Sequence, residues 1–253
     1  MYVHEWPEEE TGEEFDVWIH GDKSELYYEL QCDNQEQGDD EGEEHITNIH
    51  TKATWEIFNT VYNQILVESS TKQSTSSIPS KYDTNGYHYP IEIKYDPIVG
   101  RGVYALQDIS KGSLLYTSIN TATFLEGQTF RNFLKALSTN HNNKKLACDV
   151  MIWSYVRLIK PPKSKSTTVT DEGSFINSAD YEYQYNMALG TSSDTTPGGI
   201  LYNDPTITNK EKIELWYGCE MKFYASQDIK RGEEIRADYS DFVETDGWKF
   251  LGL

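Results

Sequence analysis

The chain has 253 residues, 41 Asp or Glu against 22 Lys or Arg, a formal net charge of −19, and 37% apolar residues. With 18 Tyr and 6 Trp in addition to its aliphatic residues it can build a sizeable core, which excludes global disorder; no apolar run approaches the ~18 residues of a membrane-spanning helix. Residues 1–50 hold 17 acids and one base, Lys23, while the rest holds 24 acids and 21 bases, so no cationic cluster for direct nucleic-acid binding is expected.

The first 50 residues read as a self-repelling, solvated or partly docked extension, with Trp6, Phe15, Trp18, Tyr27 and Tyr28 scattered through it. Its start has neither a basic n-region nor an apolar h-region, and no Asn-x-Ser/Thr acceptor occurs in the chain, so an intracellular protein, nuclear or cytoplasmic, is expected. Cys32, Cys148 and Cys219 are odd in number and widely spaced, which predicts free thiols in a reducing compartment and no metal-binding cysteine cluster. Asp33, Gly38 and Glu44 fall at positions 1, 6 and 12 of a calcium loop, but Gln35 and Gln37 misplace the intervening ligands. His45 and His50 read as solvated side chains.

From Thr54 to Ser69, Trp55, Phe58, Val61, Tyr62, Ile65 and Leu66 recur at three- and four-residue steps, predicting an amphipathic helix that packs on the domain C-terminal to it. The Ser/Thr-rich stretch 70–81 reads as a linker, which puts an acidic extension at 1–82 and the main domain at 90–250. Ile91–Tyr95 alternates like a half-buried strand, Gly100–Ala105 leads to a second short strand, and a third is predicted at 114–116. Residues 128–138 and 144–159 read as helices of an insert spanning about 120–170, the second stopped by Pro161-Pro162. The basic stretch Lys160–Lys165 reads as a solvated turn, and strands are expected at 211–217 and 221–225. Tyr104-Ala-Leu-Gln-Asp-Ile-Ser-Lys-Gly112 and Tyr224-Ala-Ser-Gln-Asp-Ile-Lys-Arg-Gly232 repeat each other, each a strand running into a turn closed by glycine. Two such copies imply equivalent corners of a small β-rich body with helices inserted between them.

Gly100-x-Gly102-x-x-Ala105 has the letters of a dinucleotide fingerprint, but that motif needs a helix at once and here a turn intervenes. Gly100-Arg101-Gly102 with Val-Tyr-Ala105 and Asp-Ile-x-x-Gly112 instead resembles the opening of a SET domain. Ser174-Phe-Ile-Asn177-Ser178 resembles its central motif, and Glu234-Ile-Arg-Ala-Asp-Tyr239 its closing one. The run from Asn177 to Asn186 has neither the His nor the Pro found there in many relatives; Asn186 can stand in for their second Asn.

The resemblance implies a mainly β fold with helical insertions (α+β), a β-clip with a C-terminal pseudoknot. It implies transfer of a methyl group from S-adenosylmethionine to a lysine side chain of a protein or peptide partner, with no metal needed; charge pattern and hydropathy separately predict no direct nucleic-acid and no membrane partner. Backbone at Gly100, Arg101 and Gly102 would cradle the cofactor with Asn177 and Ser178. Tyr239 would be both catalytic, orienting the amine, and in cofactor contact, and Trp248 would close the site in place of a zinc module. The acidic extension would steer a basic substrate segment. Two other readings stand beside it: a SET-fold interaction module without catalysis, and a different β-rich domain binding a small anion.

Overall fold

The structure is a computed structural model that describes residues 16–32, 50–69, 85–96, 100–118, 120–124, 126–140, 144–160, 163–169, 172–179, 185–189, 222–241 and 247–253. Its organising feature is an exchange between the two repeated corners. Ile109 and Ile229 trade both backbone hydrogen bonds at 2.8 Å. Gly112 N–H donates to Ala225 O and Gly232 N–H to Ala105 O, both at 2.7 Å. Asp108 accepts from Arg231 N–H at 2.9 Å, and Asp228 from Lys111 N–H at 2.8 Å. Each turn thus caps the strand leading into the other, related by a local twofold. Both isoleucines are buried, and both glycines take positive φ, +81° and +85°, where a Cβ would be strained.

Strands β1 (Ile91–Asp96), β2 (Gly100–Ala105) and β3 (Leu114–Thr117) approach these corners, and β4 (Thr121–Phe124) opens the insert. Later strands are β5 (Tyr155–Lys160), β6 (Lys163–Val169), β7 (Asn177–Ser178), β8 (Met187–Leu189), β9 (Lys222–Ala225) and β10 (Glu234–Ala237). The main sheet runs β1-β2-β10-β8-β9-β3, with β7 also paired to β10. The late strand β10 therefore lies at its centre, antiparallel to β2 on one side and parallel to β7 and β8 on the other. This is the mainly β, helix-inserted architecture expected.

Asn186 is buried and locks that centre. Its Nδ2 donates to Glu234 O at 2.7 Å, and its Oδ1 accepts from Arg236 N–H at 2.9 Å, satisfying a β10 edge that the short β8 leaves uncovered.

Helices α1 (Val17–His20), α2 (Lys23–Glu29), α3 (Lys52–Ser69), α4 (Gly127–Asn140) and α5 (Lys144–Trp153) pack with a second sheet, β4-β6-β5. The predicted face of α3 is buried: Trp55, Phe58, Val61, Tyr62 and Ile65 are each at most 8% exposed. Burying each contributes roughly 1.5–3 kcal/mol, an upper figure because the unfolded chain already hides some of that surface. The Tyr62 hydroxyl donates to Thr123 O and accepts from Thr123 N–H, tying α3 to β4.

Four expectations change. The helix expected to run to 159 ends at Trp153, and Tyr155–Lys160 form a strand paired with β6. The Tyr155-Val156 start of that stretch is aromatic and β-branched, types that suit a half-buried pleat better than a helix. The insert is thus a mixed α/β layer, and the basic residues Lys160 and Lys163–Lys165 lie on paired strands.

Cys32 and Cys148 are not free thiols but form a disulfide with Cα atoms 5.4 Å apart; 116 positions separate them, which spacing rules cannot see. The thiol count therefore says nothing about compartment. His50, expected in solvent, is 9% exposed, because its ring completes an aromatic cluster.

The extension is partly docked through α1 and α2. Asp22 and Glu25 form a reciprocal capping box, and Leu26 and Leu30 enter the core. Gly21 O accepts from Arg131 Nε at 2.9 Å. The calcium-like loop, His45, the linker, Cys219 and the strand expected at 211–217 lie outside the described residues. Among the described residues no helix is long and apolar enough to cross a membrane.

Candidate functional site

The two glycines of β2 have different jobs. Gly100 sits at φ +78° with nothing within 4 Å of where a Cβ would be, so its backbone faces open space. A Cβ on Gly102 would lie 2.6 Å from Glu234 Oε1. Gly102 thus makes room for a carboxylate from the adjacent strand.

That carboxylate organises the centre of the site. Glu234 is 8% exposed at its side chain, and such a charge is costly unless paired. Its Oε2 accepts from Arg236 Nε at 2.9 Å and Nη2 at 2.6 Å, and its Oε1 accepts from Asn177 Nδ2 at 2.8 Å. Asn177 Nδ2 also donates to Arg101 O at 3.1 Å. Both neighbours are acceptors, which fixes the orientation of the amide and uses both of its hydrogens. The side Asn177 can offer a ligand is Oδ1, an acceptor.

The pairing of β7 with β10 puts Asn177 opposite Arg236. Two residues beyond β10, the Tyr239 hydroxyl donates to the carbonyl of Ile176, the residue before Asn177. Tyr239 as a whole is 39% exposed, but its hydroxyl turns inward, and desolvation there pushes its pKa up to about 12. The phenol stays protonated at physiological pH. It can orient a partner but cannot serve as a base.

The structure therefore brings together the Gly100–Gly102 backbone, Asn177 and Tyr239. Ser178 shares the strand but is exposed, its hydroxyl 3.4 Å from Ala179 O. The Arg101 side chain turns away from Asn177 to Asp149, 3.1 Å from Nη2 to Oδ1, and stacks over Phe175 and Trp153 at 4.6 and 5.2 Å. The Trp248 ring packs on Phe130 of α4 at 5.4 Å, with Lys23 Nζ 4.3 Å above it.

Glu234, Asp149 and His50 are contributors to which the sequence reading gave no role. Asp149 left a signal, since it shares a helical stripe with Leu146, Val150 and Trp153, and an acid on an apolar face needs a partner.

Among solved structures, the chain is similar to a histone methyltransferase candidate from Plasmodium falciparum, at 17% identity and a TM-score of 0.32, covering 60% of this chain and 93% of that one. That likeness is too slight to build on. No curated protein matches the chain. The model of the SET domain matches residues 100–240, which takes in the glycine pair, Asn177 and Tyr239. With more than half its length matched, the chain belongs to the SET-domain family.

Proposed function

We propose that this protein is an S-adenosylmethionine-dependent methyltransferase acting on a lysine side chain of a protein or peptide, with the reaction carried by residues 90–250. The observation that carries this reading is the hydrogen-bonded chain from Arg101 O through Asn177 to Glu234, with Tyr239 bonded one residue away at Ile176 O. It joins the three stretches that resemble the family's motifs.

The residues present fit the cofactor. Gly100 leaves its backbone open to close approach, and Asn177 presents an acceptor, suited to an ammonium group. Arg101 would contribute through its backbone, since its guanidinium is engaged with Asp149. When bound, S-adenosylmethionine would supply an electrophilic methyl group. The chain's own part is to hold that group in line with an incoming amine, the alignment that accounts for much of the rate. The lysine must arrive neutral, and a desolvated channel lowers an amine's pKa by disfavouring its charged form. Tyr239, held protonated, orients the amine without competing for its proton.

Tyr239→Phe should leave the melting temperature close to wild type and lower turnover roughly 10- to 1000-fold, the range for one positioned hydrogen-bonding group. Radiolabelled methyl transfer onto a lysine-bearing peptide library measures this. Absence of transfer to every lysine peptide by the wild-type protein would count against the reading.

A further inference from the structure

Beside the candidate site lies a second layer of polar contacts that reaches into the N-terminal extension. Asp149 projects from α5 with its side chain 8% exposed. Its Oδ1 meets Arg101 Nη2 at 3.1 Å, and its Oδ2 lies 2.9 Å from Nε2 of His50. The carboxylate faces that ring nitrogen at ion-pair distance, off the axis of an aligned hydrogen bond. His50 is held by its ring, edge-on to Trp55 at 4.9 Å and to Trp153 at 5.1 Å. The Arg101 guanidinium completes the cluster over Phe175, which lies two residues before Asn177.

Arg101 is thus gripped at both ends. Its side chain is held by Asp149, Trp153 and Phe175; its carbonyl accepts from Asn177. It stands between two glycines, the residues with most conformational freedom to lose on ordering. Its backbone pairs with β1 on one edge, while on the other the β10 ladder reaches only Val103 and Tyr104, so the Arg101 side chain supplies an anchor where that second ladder stops. Asp149 is the anchor, and His50 meets the carboxylate oxygen that Arg101 leaves.

We propose that Asp149 and His50 are positioning residues of the site: by fixing Arg101 they pre-organise the Gly100–Gly102 backbone for the cofactor, so His50, two residues before α3, belongs to the working site. This rests on the reading of the candidate site as a cofactor site.

Three full-length variants test it. His50→Phe keeps a ring in the cluster but removes the contact with Asp149. His50→Gln restores an amide nitrogen at similar reach. Asp149→Asn keeps shape and removes charge. S-adenosylmethionine binding is measured by calorimetry, and backbone hydrogen exchange is followed over 100–105, with 109–113 as an internal control.

His50→Phe and Asp149→Asn should weaken binding roughly 10- to 100-fold, the scale of a small misplacement. Exchange should speed at 100–105 and not at 109–113. His50→Gln should stay near wild type. Wild-type affinity and exchange in His50→Phe, or equal impairment in His50→Gln, would overturn the proposal.

Should the wild-type protein bind no cofactor, the functional reading fails alone. The exchange arm still decides: acceleration confined to 100–105 supports the positioning role, and unchanged or chain-wide exchange overturns it.

Discussion

The paired corners and the seam around Asp149 solve the same problem, fixing a short stretch of backbone, by opposite means. At the corners, two nearly identical sequences exchange backbone hydrogen bonds, and the side chains add a buried isoleucine and an exposed aspartate each. At the seam the contacts between segments are made mainly by side chains. Cys32 bonds Cys148, His50 meets Asp149, and Arg101 is held by side chains from two separate segments, α5 and the stretch that leads into β7. The corners are regular and redundant; the seam is singular, and each of its members has a specific partner. The site is assembled where the two meet, since β2 runs from Arg101 at the seam to Ala105 at a corner.

The comparison can be broken first at the disulfide. Replacing Cys32 and Cys148 with Ser releases a closure across 116 residues, which should lower unfolding free energy by about 2–4 kcal/mol. Urea melts with and without a thiol reductant measure it. The wild-type protein should lose the same amount on reduction, and the double variant should not respond.

A smaller effect sharpens the equivalence of the corners. Gly112→Ala and Gly232→Ala each place a Cβ at positive φ in open space, so each should cost about 1–2 kcal/mol, with the two nearly equal. Clearly unequal costs in paired thermal melts would show that the local twofold is not energetic.

The smallest effect concerns Asp108. The Arg231 N–H, followed by Lys230, holds its carboxyl below the usual carboxylate range. A pKa depressed in the folded state adds stability above the unfolded value and loses it as pH falls through the folded one. Asp108→Asn should therefore flatten the acid side of the curve of melting temperature against pH, only slightly because the group is exposed.

Legibility in the sequence divides along the same line. The corners could be read because a repeat of strand, Asp-Ile and glycine is a local pattern, and local patterns survive in sequence. Helix α3 was legible from its apolar step for the same reason. The hairpin of β5 and β6 is hidden because Val156 falls on the helical step of Leu146, Val150 and Trp153, so periodicity alone runs the helix six residues too far.

At the site, Asn177 and Tyr239 were found through resemblance, while Glu234 went without a role although it lay inside the closing motif. Its partnership with Gly102 exists only once β2 and β10 are paired. The seam was least legible. An acidic neighbourhood made His50 look solvated, and nothing in its local sequence shows that a cluster of rings closes around it. Trp248 was chosen by elimination, and elimination could not reveal that Phe130 and Lys23 lie beside it.

The most direct test is a crystal structure of the protein soaked with S-adenosylhomocysteine, the demethylated form of the cofactor. The account predicts density along the Gly100–Gly102 backbone, within hydrogen-bond reach of Asn177 Oδ1 and with its sulfur directed toward Tyr239. Density settled on another surface, or an empty site at saturating ligand, would contradict it.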